Sequence, residues 1–156
     1  MKASEPGPTI HASAVLVEAR AALIRGPSAA GKSRLALALL TAAKSGLLSF
    51  ARLVGDDRLL LEVHHGRLLA RAPAALAGLI EVRGLGIRRI AYEPVAVVGL
   101  VIDLAAADTE RLPASEGKVV VSGVELPRLA VAANADPLPP VLAFLQTAPF
   151  SPERQK

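Results

Sequence analysis

Gly26-Pro27-Ser28-Ala29-Ala30-Gly31-Lys32-Ser33 is the stretch on which the reading of this chain turns. It satisfies G-x-x-x-x-G-K-[ST] at every defined position, a pattern whose backbone N–H groups fold inward around phosphates. Its flanks agree with it. Ahead lie two short apolar runs, Ala14-Val15-Leu16-Val17 and Ala22-Leu23-Ile24, close enough to form a hairpin bent at Glu18 to Ala21. Behind it, Leu35, Leu37, Leu39 and Leu40 recur amid alanines up to Gly46, which predicts a helix with a terminal glycine cap. Strand, glycine-bounded loop and helix in that order predict an α/β domain with a mixed sheet around an anion site. The helix turns its positive end onto the same anion. Lys32 is then placed to reach the β and γ phosphates of a purine nucleoside triphosphate, and Ser33 to ligate Mg2+.

Further along, Leu59 to Val63 and Leu68 to Ala70 flank His65-Gly66, a hairpin signature. Pro73 to Leu79 reads as one or two helical turns, and Ile80-Glu81-Val82 as a short strand leading into Arg83-Gly84-Leu85-Gly86. Val95 to Asp103 is the strongest buried strand. Residues 105–117 form a polar excursion, followed by strands near Lys118 to Val121 and Val124 to Leu126. Leu138 to Gln146 predicts a closing helix, with Pro139 and Pro140 in the first turn, where proline is tolerated. The expected organisation is a flexible leader over 1–9, one domain over 10–148 and a flexible tail over 149–156.

Composition narrows the function classes. The 156 residues suffice for one sizeable core, and their apolar content comes from Ala, Leu, Val and Ile, as in buried strands of α/β domains. With 3 Phe, 1 Tyr and no Trp, the chain lacks the stacking platforms of a single-strand nucleic-acid binder. The net charge of +4 is scattered and forms no basic tract beyond Arg88-Arg89. Cysteine is absent, which excludes disulfides and thiolate metal sites. No signal peptide or bilayer-spanning run is legible, so a cytoplasmic protein is the expectation.

A triphosphate site also needs carboxylates, for the metal and for activating a nucleophile. Asp56-Asp57 follows a short strand, Ala51 to Val54, where a loop beside the phosphates belongs. Glu81 stands just before a Gly-Leu-Gly loop and is a candidate inward-facing ligand, although a surface glutamate is the commoner case. His64 and His65 sit at a hairpin tip and suit solvated turn positions, and no histidine spacing supports zinc. His11 stands alone.

Taken together these segments resemble the catalytic domain of the HPr kinase/phosphorylase family. Ile10-His11 stands fifteen residues ahead of Gly26, the phosphate loop spans Gly26 to Ser33, and Asp56-Asp57-Arg58 matches an Asp-Asp-Arg segment. Glu81-Val82-Arg83-Gly84-Leu85-Gly86-Ile87 matches the family's Glu-Ile-Arg-Gly-Leu-Gly-Ile signature with one conservative change. The resemblance implies a phosphate-loop kinase fold similar to the nucleotide-binding core of phosphoenolpyruvate carboxykinase. It implies a serine kinase using ATP and Mg2+, acting on an HPr-like phosphocarrier protein of the sugar phosphotransferase system, with phosphate-dependent reversal as a second activity. Asp56 would be the catalytic carboxylate with Asp57 supporting it, and His11 would lie near the phosphate being handled. Lys32 would hold the β and γ phosphates, and Ser33 and Glu81 the divalent cation. Gly26, Pro27, Ser28, Ala29, Ala30, Gly31, Lys32, Ser33 and Arg34 would line the nucleotide. Arg83 and its glycine loop would shape the site or a subunit contact in a homo-oligomer, commonly a hexamer.

The chain departs from the family pattern in places. Ala29 replaces a loop glycine, Arg34 replaces an acidic residue, and the later Pro-Gly-Arg-Asn segment has no clear counterpart. Only ten residues precede His11, so a short form holding the catalytic domain alone is expected. From the residues themselves two other readings stand beside the protein kinase: a small-molecule kinase on the same scaffold, and a nucleotide-sensing module with little turnover.

Overall fold

A computed structural model describes residues 8–111, 113 and 116–148. The expected tail over 149–156 and all but the last two residues of the leader lie outside the described residues.

Strands β1 (Ile10–Val17) and β2 (Arg20–Arg25) form the predicted hairpin, and the phosphate loop leads from β2 into α1 (Lys32–Lys44). Strand β3 (Ala51–Gly55) runs almost directly into β4 (Arg58–His64), which turns through His65-Gly66 into β5 (Arg67–Arg71). Both turn residues have positive φ, 51° and 74°, the two-residue geometry that suits the right-handed twist of a hairpin. A single 3₁₀ turn at Ala74–Leu76 precedes β6 (Leu79–Val82), which pairs with β7 (Gly86–Arg89) as a separate ribbon. Then follow β8 (Ala96–Leu104), β9 (Gly117–Val121), β10 (Val124–Val131) and α2 (Leu138–Gln146).

The main sheet has eight strands and is mixed. Its axis is β8, which pairs in parallel with β2 and with β10 and antiparallel with β5. Because β2 pairs with β1, β1 with β4 and β4 with β5, the pairing returns to β8 and closes a ring. Alternation along each strand then sends one residue set inside the ring and the other outward. Ala12, Ala14, Ala21, Leu23, Leu59, Leu68 and Val101 fill one buried cluster. Val15, Ala22, Ile24 and Ile102 belong to a second, with Leu35, Ala36 and Leu39 of α1. The buried residues of α1, at 32, 35, 36, 39 and 42, make the single stripe that a helix needs to lie on a sheet.

Two segments differ from the sequence expectation. Strand β10 runs to Val131 rather than Leu126, because Pro127 faces β9 before pairing with β8 begins at Arg128, so its missing N–H breaks no parallel ladder. The Arg83 to Gly86 stretch is the turn of a hairpin whose second strand, β7, is exposed along its whole length and carries no burial period.

Candidate functional site

The phosphate loop sits between the C-terminal end of β2 and the first turn of α1. Gly31 caps the helix at φ 98°, in the left-handed region where a side chain is costly. No side chain caps this N-terminus and no acidic residue occupies its first turn. A helix start normally satisfies its orphan N–H groups with such a side chain. Here those donors and the positive dipole end are left for a ligand. Pro27, Ser28 and Ala29 are exposed along the loop, Gly26 and Ala30 are half-buried, and Ala29 is itself left-handed at φ 66°.

Lys32 is 7% exposed, and its Nζ donates to the carbonyls of Gly26 and Pro27 at 2.9 and 3.2 Å. Among the described residues no carboxylate pairs with it. A buried ammonium held only by neutral carbonyls, next to an uncapped helix start, suits a polyanion. Arg34 lies on the exposed side of the first turn of α1, beside a shallow groove with Leu37, Thr41, Leu47 and Leu138.

Asp56 and Asp57 occupy the break between β3 and β4. Both strands pair antiparallel with β1, at Ala14 to Val17 and at Ile10 to His11 respectively. The two aspartates therefore form an irregular step alongside one continuous strand, the device by which sheets re-aim a side chain. Asp57 has φ 65°, and the Arg58 N–H reaches back to the Asp56 carbonyl at 2.8 Å. The result points Asp56 inward, 7% exposed, and leaves Asp57 outside.

The Asp56 carboxylate is where the separate segments meet. Ser33 Oγ lies 2.7 and 2.9 Å from its two oxygens. The Glu81 main-chain N–H donates to Oδ2 at 3.0 Å. Ser13 Oγ, fully buried, donates to Oδ1 at 2.7 Å and accepts the Asp57 N–H at 3.1 Å. Thus Ser33 and Asp56, twenty-three residues apart, are joined, and β6 is fastened to the same group. The Glu81 side chain is exposed, since Ile80 takes the buried position on β6. His11 Nδ1 lies 4.0 Å from Asp57 Oδ1, and both side chains are more than half exposed.

The donor set fits a magnesium–nucleotide pair in one specific way. Among the described residues no three His, Cys, Asp or Glu side chains gather as a self-sufficient metal cage. One hydroxyl and one carboxylate beside a phosphate cradle is instead the pattern for a cation held jointly with phosphates.

Sequence reading missed Ser13. It sits inside an apolar strand, and its partner lies forty-three residues away. A lone serine within an otherwise aliphatic buried run was the available signal, because buried hydroxyls require partners.

A second polar cluster caps the same end of the parallel strands. Arg25 donates to both Asp103 oxygens at 2.8 and 2.9 Å, and Arg128 donates to Asp103 at 2.6 Å and to both oxygens of Asp108. Burial works to raise the Asp103 pKa, but the hydrogen bonds and charges of the two guanidiniums outweigh it and hold the carboxyl below its usual range. The bonds tie β2, β8 and β10 together immediately after the phosphate loop's parent strand.

A mixed sheet whose parent strand feeds an uncapped phosphate loop, with a buried aspartate locked to the loop serine, gives the chain a phosphate-loop kinase-like core. Comparison with known proteins carries this further. The family model described as HPr Serine kinase C-terminal domain matches residues 5–136, and the chain belongs to that family. A relative from Geobacillus thermodenitrificans, HPr kinase/phosphorylase, is 36% identical over 138 residues, covering 81% of this chain and 42% of the relative. The protein of the same name from Clostridium beijerinckii is 40% identical over 82 residues, or 53% of this chain and 25% of its own. The chain thus spans less than half the length of these relatives. The solved structure of the Hpr(Ser) kinase/phosphatase from Coxiella burnetii superposes with a TM-score of 0.70 at 26% identity, covering 88% of this chain and 93% of that one.

Proposed function

We propose that this chain transfers the γ-phosphoryl group of ATP to a serine of an HPr-type phosphocarrier protein. The observation that carries the reading is the Ser33–Asp56 contact, which places a buried carboxylate against the phosphate loop of a chain in this family. The carrier hydroxyl would approach the γ-phosphorus in line. Asp56 takes its proton, the new O–P bond forms as the bond to the β-phosphate oxygen breaks, and ADP leaves. Lys32 and the loop amides from Gly26 to Ser33 stabilise charge on the transferring group. Ser33 would hold magnesium, which supplies charge neutralisation when bound, and Glu81, whose main chain is fastened to Asp56 while its side chain stays exposed, is the second proposed holder. His11, on the solvent-facing side of the site beside Asp57, is the proposed contact for an inorganic phosphate in the reverse reaction, with Asp57 supporting Asp56.

The acceptor and its surroundings belong to the same reading. Leu85 and Ile87 are 68% and 63% exposed on the β6–β7 ribbon, which supports a contact surface for the carrier or a neighbouring subunit of a homo-oligomer, proposed as a hexamer. No described helix is long and apolar enough to cross a membrane.

The test is transfer of labelled γ-phosphate from ATP with magnesium to purified HPr-type carrier, with mapping of the modified residue. Phosphoserine on the carrier is expected. Measurable ATP binding with no label on the carrier would overturn the reading in favour of another acceptor or a sensing module.

A further inference from the structure

Ser13 is the only fully buried polar side chain among the described residues, and its two bonds fix the direction of its proton. The Asp57 N–H can only donate, so it occupies a lone pair of Ser13 Oγ. The hydroxyl's single proton is left for Asp56 Oδ1, at 2.7 Å. Ser13 therefore grips the bulge twice, once at the carboxylate and once at the next peptide.

That grip falls at one of the left-handed positions of the backbone. Asp57 is left-handed without being glycine, a conformation that persists only when its surroundings impose it. Two bonds from β1 impose it: the Ala12 N–H donates to the Asp57 carbonyl at 3.2 Å, and Ser13 Oγ receives the Asp57 N–H. Only the second is made by a side chain, and only that one also touches the carboxylate.

The other partners of Asp56 are less permanent. Ser33 has one proton to share between two oxygens and, in the proposed reaction, a metal to ligate instead. When it turns to the metal, Asp56 keeps Ser13 on Oδ1 and the Glu81 amide on Oδ2. We infer that Ser13 is a positioning residue, holding Asp56 in line with the acceptor hydroxyl while Ser33 is engaged elsewhere. This rests on the proposed role of Asp56 in phosphoryl transfer.

The experiment compares Ser13→Ala, Ser13→Cys and Ser13→Thr with the wild-type chain, measuring kcat and KM for ATP in carrier phosphorylation and ATP affinity by calorimetry. Ser13→Ala is expected to lower kcat about 10- to 100-fold, the range for a lost hydrogen bond to a charged group, with KM and affinity within about twofold of wild type. Ser13→Thr, which keeps the hydroxyl, should restore most of kcat. Ser13→Cys, a weak donor of similar size, should fall between and serves if the added methyl of threonine disturbs the strand. Wild-type kcat in Ser13→Ala would overturn the role, as would parallel losses of kcat and ATP affinity. Absence of transfer by the wild-type chain would overturn instead the function on which the role rests.

Discussion

A carboxylate that accepts from two hydroxyls and a main-chain amide has little freedom to rotate, so Asp56 is aimed as well as placed. Its neighbour shares the sequence motif but not the environment, since the Asp57 carboxylate is more than half exposed and, among the described residues, lies near only one cationic partner, His11 at 4.0 Å. Replacing Asp56 by Asn is therefore expected to lower phosphoryl transfer at least about 100-fold, the usual range for a lost general base, while ATP–magnesium binding persists. Asp57→Asn should cost far less. Measuring transfer rate and ATP affinity on both variants decides it, and equal rates for Asp56→Asn and wild type would remove the base assignment. Lys32 and Ser33 stand out in the sequence because loop chemistry imposes fixed local spacing, whereas the contact of Ser33 with Asp56 spans twenty-three residues and only Asp56 of the aspartate pair turns inward. Ser13 does not, since a buried serine signals that it needs a partner but its partner lies forty-three residues away.

Among the elements, β2 feeds the phosphate loop and is backed by β8 and β10, and the Arg25–Asp103–Arg128 cluster ties these three strands together. Removing the negative centre would leave two half-buried guanidiniums facing each other. Asp103→Asn is expected to cost about 2 kcal/mol near neutral pH, in the range for hydrogen bonds to charged groups. The folded carboxyl titrates below its unfolded value, so this contribution is present at neutral pH and is lost as pH falls through the lowered folded pKa. Denaturant melts of both chains should therefore differ at pH 7 and converge in strong acid, whereas a pH-independent gap would show that the charge is not responsible. Sequence patterning recovered the strands and helices with a strong hydrophobic period. It lost β7, where every residue is exposed, and the second half of β10, where Pro127 reads as a stop. In both cases pairing partners elsewhere in the chain decided the outcome.

For the molecule as a whole, a helix start without a side-chain cap and a buried lysine without a carboxylate partner among the described residues are local deficits that a bound polyanion relieves. A hundredfold excess of ATP–magnesium over its Kd is expected to add about 2.7 kcal/mol of stability. For a chain of this size that raises Tm by about 5–10 °C. Lys32→Ala should abolish most of the rise and Ser13→Ala should keep it. Thermal melts with and without nucleotide check both, and an unchanged rise in Lys32→Ala would place the phosphates elsewhere.

The parallel pairing of β2 with β8 also has a bearing on how the protein is made. Arg25 and Asp103, which meet at the mouth of the phosphate loop, are separated by seventy-eight residues. The loop's sequence leaves the ribosome early, yet the wall behind it is missing until β8 has emerged and inserted, a contact of high sequence separation and slow formation. The proposed nucleotide site is thus completed late in synthesis, and a nascent chain truncated before residue 96 carries the motif without the β8 wall behind it.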